Sequence, residues 1–319
     1  MRVRLALIAI AAACASACEV REVGVPASGA SANGVRAVEF DESAWKPKRE
    51  ADIPADSMGA SIRRGLYLLR FTPESLPYYA TSNLRCTSCH QDDGLRPSSA
   101  PLTGSHARFP KYMPRSGAVI ALADRVNYCF TRSLAGNALP VESREMTDIL
   151  AYLAFISKDI PVGTKIAGAD GLISEPDTLV GDAARGAALY TSKTCITCHG
   201  ATGAGNGPIP ALWGPGSYSV GASMTRLERA ASFIRHNMPQ TAPGTLTAQE
   251  AFDLSAYINS QPRPDSPGKE GDWPMGGAPA DVPYDTKGHK AFNPPPLLPR
   301  ANPRGALVPN PPVVGRSNR

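Results

Sequence analysis

Two C-x-x-C-H motifs, Cys86-Thr87-Ser88-Cys89-His90 and Cys195-Ile196-Thr197-Cys198-His199, constrain this chain of 319 residues more than anything else in it. Each is the attachment signature of a c-type haem. The two cysteines add across the porphyrin vinyl groups, and the histidine supplies the proximal iron ligand. Two intervening residues let one turn of chain reach both vinyls, and the adjacent histidine then falls under the iron. A zinc site or a redox C-x-x-C pair uses similar spacing. Two copies, each followed at the same distance by a residue able to take the sixth iron position, favour haem. The expected cofactors are two covalently bound haem c, held through Cys86, Cys89 and His90 and through Cys195, Cys198 and His199. Such a chain handles electrons, either as a carrier or as an enzyme.

The first residues read as an export signal. Arg2 and Arg4 precede a short apolar run, Leu5 to Ala13, and small residues then lead to Cys14 and Cys18. The run is too short to span a membrane. Ala15-Ser16-Ala17-Cys18 loosely resembles a lipidation box, with simple cleavage as the alternative. The expected location is the periplasm, soluble or tethered through Cys18, in keeping with haem attachment outside the cytoplasm. Membrane contact is expected only through that lipid. The net charge of +5 comes without a block of Lys or Arg, which argues against nucleic acid as a partner. It suits a small anionic substrate or an acidic redox partner. Aromatic content is only 7%, as fits a protein whose porphyrins supply much of the apolar core.

The segments divide as 1–18 signal, 19–56 flexible extension, 57–158 first cytochrome domain, 159–181 linker, 182–261 second domain and 262–319 tail. Helices are predicted over Ser61–Phe71 and Glu142–Ile156, where apolar residues recur at helical spacing. Arg64-Gly65-Leu66-Tyr67 before the first motif parallels Arg185-Gly186 and Leu189-Tyr190 before the second, and Ile149-Leu150-Ala151-Tyr152 parallels Leu254-Ser255-Ala256-Tyr257. The expected fold is mainly α: two tandem class I cytochrome c domains from an internal duplication, then a proline-rich irregular extension. The tail holds 14 Pro in 58 residues, which excludes long helices, while Trp273, Tyr284 and Phe292 point to partial docking.

The distal ligands break the symmetry. Met238, followed by Pro239, has the loop context of a cytochrome c distal methionine, which raises the potential. His236 and Met224 are the local rivals. Met238 lies 39 residues after His199, and the same offset from His90 lands on Cys129. Cys129 is the one cysteine outside the signal and the haem motifs, so the spare cysteine and the missing ligand explain each other. Met113 and His106 are the alternatives. A thiolate ligand stabilises ferric iron and lowers the potential. The first haem is thus expected to be the more reducing, and electrons to pass from it to the second. A thiolate is also a sulfur nucleophile, which a pure carrier does not need.

Arg108, Lys111, Arg115, Arg125 and Arg132 lie around Cys129 in sequence. Most such side chains are solvated. Arg125, Cys129, Arg132 and Ser133, however, are spaced to share one helical face, where guanidinium groups and a hydroxyl suit a sulfur oxyanion.

Arg115, Arg125, the block Asn127-Tyr128-Cys129-Phe130-Thr131-Arg132-Ser133-Leu134 and Gly136-Asn137-Ala138-Leu139-Pro140 resemble the dihaem thiosulfate dehydrogenases that form tetrathionate. The likeness continues through Asn237-Met238-Pro239, Lys269-Glu270-Gly271-Asp272-Trp273-Pro274 and Pro294 to Arg300. It implies a His90/Cys129 active-site haem, a His199/Met238 exit haem, and thiosulfate held by Arg115, Arg125, Arg132 and Ser133. It also implies tetrathionate as product, reversibility, and a small periplasmic cytochrome c or other one-electron acceptor as partner. Competing readings are a sulfur-oxidation cytochrome that conjugates thiosulfate to a carrier protein, a dihaem peroxidase, and a dihaem electron carrier without substrate chemistry.

Overall fold

The first long helix, α1 (Ser57–Arg70), starts earlier than the apolar spacing suggests because Asp56 caps it, accepting a hydrogen bond from the Gly59 N–H. This computed structural model describes residues 40–166, 171–176, 178–291 and 293–300. Cys14, Cys18 and Phe292 lie outside them. Besides single-turn helices, the first half has two longer ones: α2 (Leu122–Tyr128), and α3 (Arg144–Ile156), which opens at Ser143, whose hydroxyl accepts from the Met146 N–H. The second half adds α4 (Ala183–Ser192), α5 (Leu227–Asn237) and α6 (Ala248–Ser260).

α1 buries Ile62, Leu66 and Leu69, and α3 buries Met146, Ile149, Leu153 and Ile156, all in one core. The helices cross at Gly65, where a Cβ would stand 2.0 Å from the Asp148 carbonyl oxygen. Only glycine lets the backbones approach this closely. Beside the crossing, Arg64 donates Nε and Nη2 hydrogen bonds to the Asp148 carboxylate at 2.7 and 2.9 Å. The second half repeats the joint. Gly186 on α4 would place a Cβ 2.0 Å from the Asp253 carbonyl oxygen on α6. Arg185 donates Nε and Nη2 to the Asp253 carboxylate at 2.8 and 2.9 Å. The paired sequence blocks are therefore paired helix crossings, and the two halves repeat one mainly helical arrangement in tandem.

α2 and α5 occupy equivalent places in chain order. α2 runs into a π-helical turn, Cys129–Ser133, and α5 ends at Asn237, so Cys129 and Met238 each stand just past a helix. An antiparallel hairpin of β1 (Lys111–Met113) and β2 (Ala118–Ile120) sets Tyr112 opposite Val119. A parallel pair, β3 (Arg263–Pro264) and β4 (Leu297–Leu298), ties the tail to itself.

The flexible extension expected up to residue 56 differs from its described part. Phe40 and Trp45 pack against buried Ala107, Ile160 and Ile166, and the Trp45 Nε1–H donates to the Lys158 carbonyl at 2.9 Å. The two aromatics, together with Ile53 buried in the first core, pin the described stretch. The linker is held as well. Its Glu175, buried at the carboxylate, accepts from Arg235 Nη1 at 2.6 Å and pairs with His236 Nε2 at 2.7 Å. In the tail, Trp273 and Tyr284 are buried with Val220 and Val282. Arg300 reaches the Ala135 carbonyl at 2.6 Å and also the Gly136 carbonyl. No helix among the described residues is long and apolar enough to cross a membrane.

Candidate functional site

α1, the turn Cys86–Cys89, the π-helical turn and α3 line a common cavity. Leu69, Leu84, Ile149 and Leu153 form apolar walls, and Cys86, Cys89, His90, Cys129 and Ser133 open onto the same space. Burial pushes the Cys86 and Cys89 thiols up to about 12, so both are neutral. Neutral thiols on an apolar wall suit addition to porphyrin vinyls, whereas zinc takes thiolates in a closed ligand set. Among the described residues no group of three or more His, Cys, Asp or Glu side chains is placed to hold a metal ion.

His90 Nδ1 lies 2.5 Å from the Ala100 carbonyl oxygen, and His199 Nδ1 lies 3.0 Å from that of Pro210. An imidazole that donates Nδ1–H to a carbonyl presents a lone pair at Nε2, the usual arrangement behind a metal-ligating histidine. Burial holds His199 below its ordinary value, with the Pro210 carbonyl opposing, which keeps the ring neutral and able to ligate iron. In the second half, Cys195 and Ile196 pack against a core containing Tyr190 and Trp213. The Tyr190 and Trp213 rings stand 5.3 Å apart, and those of Trp213 and Tyr257 5.5 Å. The chemistry of both donor sets and the apolar walls fit haem c.

Arg125 Nη1 donates to the Cys129 sulfur at 3.2 Å. Burial alone would push the Cys129 thiol up, but the charged and hydrogen-bonding groups around it, the Arg125 charge foremost, outweigh it and bring it down to about 6. Cys129 is therefore a thiolate at neutral pH, unlike the two cysteines across the cavity.

The single helical face predicted for Arg125, Cys129, Arg132 and Ser133 is only partly realised. Arg125 and Ser133 join Cys129, whereas Arg132 turns away. The π-helical turn changes the angular spacing after Cys129. A buried carboxylate, Asp272, draws Arg132 Nη2 to its Oδ1. Arg115 Nε donates to Asp272 Oδ2 at 2.9 Å, its Nη2 donates to the Gly221 carbonyl at 2.6 Å, and Tyr284 Oη donates to Asp272 at 2.8 Å. The Arg115 guanidinium also lies 4.9 Å from the Trp273 ring, and that of Arg132 lies 4.4 Å from Tyr128. Asp272 and Tyr284 were not among the residues expected from sequence. One acid among several in a proline-rich tail gives no periodic signal, and only its place in the Asp272-Trp273-Pro274 block marks it.

The rival ligands are accounted for in part. His236 is engaged with Glu175, Met224 packs against the first core, His106 is exposed, and Met113 lies in β1. Asn237, next to Met238, is fully buried and crosses to the first half. Its Nδ2 donates to the Ser98 carbonyl at 2.8 Å, and its Oδ1 accepts from the Ser98 hydroxyl at 3.0 Å.

Residues 79–162 match the SoxA/TsdA cytochrome c domain family and residues 183–262 the cytochrome c family. Thiosulfate dehydrogenase of Psychrobacter arcticus is 39% identical over 239 residues, which cover 73% of this chain and 72% of that protein. The chain belongs to the thiosulfate dehydrogenase family. Its relative from Allochromatium vinosum, also a thiosulfate dehydrogenase, is 38% identical over 226 residues, 66% of this chain and 82% of that one. Among solved structures, thiosulfate dehydrogenase TsdBA of Marichromatium purpuratum in its as-isolated form superposes with a TM-score of 0.64 at 31% identity. That match takes in 70% of this chain and half of the other, 50%. Each of the two cytochrome c domains carries a covalently bound haem c, as in this family.

Proposed function

We propose that the protein oxidises thiosulfate in the periplasm, joining two molecules as tetrathionate at a first haem bound through Cys86, Cys89 and His90. Cys129 is its sixth ligand. Electrons leave through a second haem, bound through Cys195, Cys198 and His199 with Met238 as sixth ligand, to a small cytochrome c or similar one-electron acceptor. The observation that carries this reading is the Cys129 thiolate, held by Arg125 in the same cavity as Cys86, Cys89 and His90.

The reaction releases two electrons and no proton: two thiosulfate dianions give one tetrathionate dianion as a sulfur–sulfur bond forms between their sulfane atoms. Each haem, when bound, takes up one electron, so the pair matches the demand. The Cys129 thiolate, released from its ligand position, first bonds to the sulfane sulfur of one thiosulfate, and the two electrons given up would be taken by the two haems. The sulfane sulfur of a second thiosulfate then displaces Cys129, releasing tetrathionate and restoring the thiolate. The reverse order reduces tetrathionate with the same groups.

Two dianions in one site repel each other, and positive charge must offset this. Arg125 stands on the thiolate itself. Arg115 and Arg132 share the single carboxylate of Asp272, which leaves one positive charge over. The Ser133 hydroxyl, on the cavity wall, supplies a donor.

The test is anaerobic addition of thiosulfate alone to the fully oxidised, haem-loaded protein. Haem absorbance is followed and tetrathionate assayed. Both haems become reduced and tetrathionate appears, while Cys129→Gly keeps both haems attached and shows neither. An electron carrier, or a cytochrome that needs a carrier protein as acceptor of the sulfur group, forms no tetrathionate, and that result overturns the proposal. Lipidation at Cys18 is the proposed membrane tether, checked by mass spectrometry of the mature N-terminus.

A further inference from the structure

Arg300 is buried in the tail, and its planar guanidinium spans three backbone carbonyls of the first half. Nε donates to the Ala135 carbonyl at 2.6 Å, and Nη2 donates to that of Thr131 at 3.1 Å and also to that of Gly136. A strand pair delivers it. β4 lies beside β3, and the Asp265 N–H donates to the carbonyl of Leu298, two residues before Arg300, at 2.7 Å. The chain that leaves α6 thus brings an arginine back to the end of the π-helical turn.

Those carbonyls belong to the turn that bears Cys129 and to the chain leaving it. The last carbonyls of a helix have no partner within it and take donors from elsewhere. Here the Leu134 N–H donates to the Cys129 carbonyl, five residues back, at 2.8 Å, and the Gly136 N–H donates to that of Phe130 at 2.8 Å. An α-helix would close four residues back. Between Leu134 and Gly136 stands Ala135, a buried residue with a left-handed φ of 49°. Such a backbone state is costly for a residue with a Cβ, and it persists only where its surroundings hold it. The Thr81 hydroxyl donates to the Ala135 carbonyl at 2.6 Å and holds the exit. Arg300 does more, because its fork ties that exit to Thr131 inside the turn. A lysine ammonium is a point charge without this span.

We propose that Arg300 is a positioning residue for Cys129: it locks the π-helical turn and so fixes the direction of the sulfur in the cavity shared with Cys86, Cys89 and His90. Without Arg300 the turn is free to close four residues back, which swings the Cys129 side chain relative to Arg125 and His90. The inference rests on the reading of Cys129 as sixth ligand of the first haem, and not on the sulfur chemistry.

A thiolate ligand stabilises ferric iron, so a misdirected sulfur raises the midpoint potential of the first haem. The experiment combines electron paramagnetic resonance of the oxidised, haem-loaded protein with redox and urea titrations, for the parent, Arg300→Lys and Arg300→Gln. Arg300→Gln is expected to weaken thiolate ligation of the ferric haem about tenfold, which raises that midpoint by ~59 mV for one electron. Its thiolate-ligated signal is expected to divide between two species. Arg300→Lys, which keeps the charge and loses the fork, is expected to show the same changes at smaller amplitude. The second haem keeps its signal and its midpoint in both variants. A lowered urea midpoint with the thiolate signal and the first-haem midpoint unmoved in Arg300→Lys, even if Arg300→Gln fails to load haem, would reduce Arg300 to a stabilising cap and overturn the proposal. A parent without a thiolate signal would instead overturn the ligation reading beneath it. None of these readouts requires thiosulfate, so they stand or fall apart from the proposed reaction.

Discussion

Arg125 donates a hydrogen bond to the Cys129 sulfur from one helical turn earlier, at 3.2 Å. The pair spans the junction between α2 and the π-helical turn, so the helix aims the guanidinium and the turn re-aims the sulfur. Burial works against the thiolate, and the Arg125 charge is the largest influence in its favour. Arg125→Gln is predicted to lower kcat/KM for thiosulfate at least tenfold, about 1.4 kcal/mol of transition-state stabilisation. The ferric absorption spectrum of the first haem should change as well. Arg125→Lys, which keeps the charge and loses the planar donor, is predicted to fall between. Steady-state kinetics and visible spectra of the two variants check this.

Asp272 is the second electrostatic joint. It arrives from the tail, is nearly fully buried, and is the one carboxylate between Arg115 and Arg132. Removing one partner of a buried ion pair leaves the others uncompensated, at a cost of about 3 kcal/mol. Asp272→Asn is therefore predicted to lower the denaturant midpoint and to loosen both arginines, raising KM for thiosulfate with haem content unchanged. A variant as stable as the parent would show that Tyr284 and the Gly221 carbonyl hold Arg115 unaided.

The features that were legible in the sequence are those set by local spacing. The haem turns depend on five consecutive residues, the internal repeat on Arg-Gly blocks whose glycines turn out to be the helix crossings, and the Cys129 position on an offset shared by the two halves. Long-range pairing was not legible. Arg132 sits at the right helical spacing for the sulfur but answers to a carboxylate 140 residues away. Phe40 and Trp45, Glu175, and the Asn237–Ser98 contact are likewise choices of the packed chain. Sequence marks each of them only as an isolated aromatic or polar residue in a segment without period.

Acid should weaken both helix crossings. Burial would raise the Asp148 carboxyl, but the hydrogen bonds from Arg64 and Ser61 outweigh it and hold the group below its ordinary value of 3.8. For Asp253, burial is likewise outweighed by Arg185, the Asp182 N–H and Gln249. A carboxyl depressed in the fold binds fewer protons than in the unfolded chain, so its contribution is complete above the unfolded value and is lost as pH falls through the folded one. The difference in unfolding free energy between the parent and Asp148→Asn or Asp253→Asn is predicted to be about 2 kcal/mol at neutral pH. It should shrink below about pH 4. Urea titrations across that range measure it, and a difference that stayed constant would remove the carboxylates from the account.

The glycines beneath those carboxylates are predicted to be harder to replace than the charges. A Cβ at Gly65 or Gly186 would overlap a backbone oxygen, which cannot swing aside as a side chain does. Gly65→Ala or Gly186→Ala must force α1 from α3, or α4 from α6, costing about 1–3 kcal/mol or more from overpacking. Each is predicted to lower the melting temperature and the yield of haem attached to its own half, read by absorbance per mole of protein and by mass spectrometry of the two motif peptides.

Asn237 and Ser98 connect the halves beside residues of both proposed iron sites. Asn237 precedes Met238, and Ser98 lies two residues before Ala100, whose carbonyl faces His90 Nδ1. A loop that positions the proximal histidine of one haem thus also clamps the residue beside the distal methionine of the other. Asn237→Ala removes the donor to the Ser98 carbonyl and the acceptor for its hydroxyl in a fully buried place, so it is predicted to cost about 2 kcal/mol. It should also weaken methionine ligation at the second haem. Loss of intensity in the near-infrared charge-transfer band of methionine-ligated ferric haem, with the first haem's spectrum altered less, is the expected signature. Ser98→Ala keeps the Ser98 carbonyl and one of the two bonds, and should show the same change at smaller amplitude. A second-haem band of full intensity in Asn237→Ala would confine the clamp to holding the two halves together.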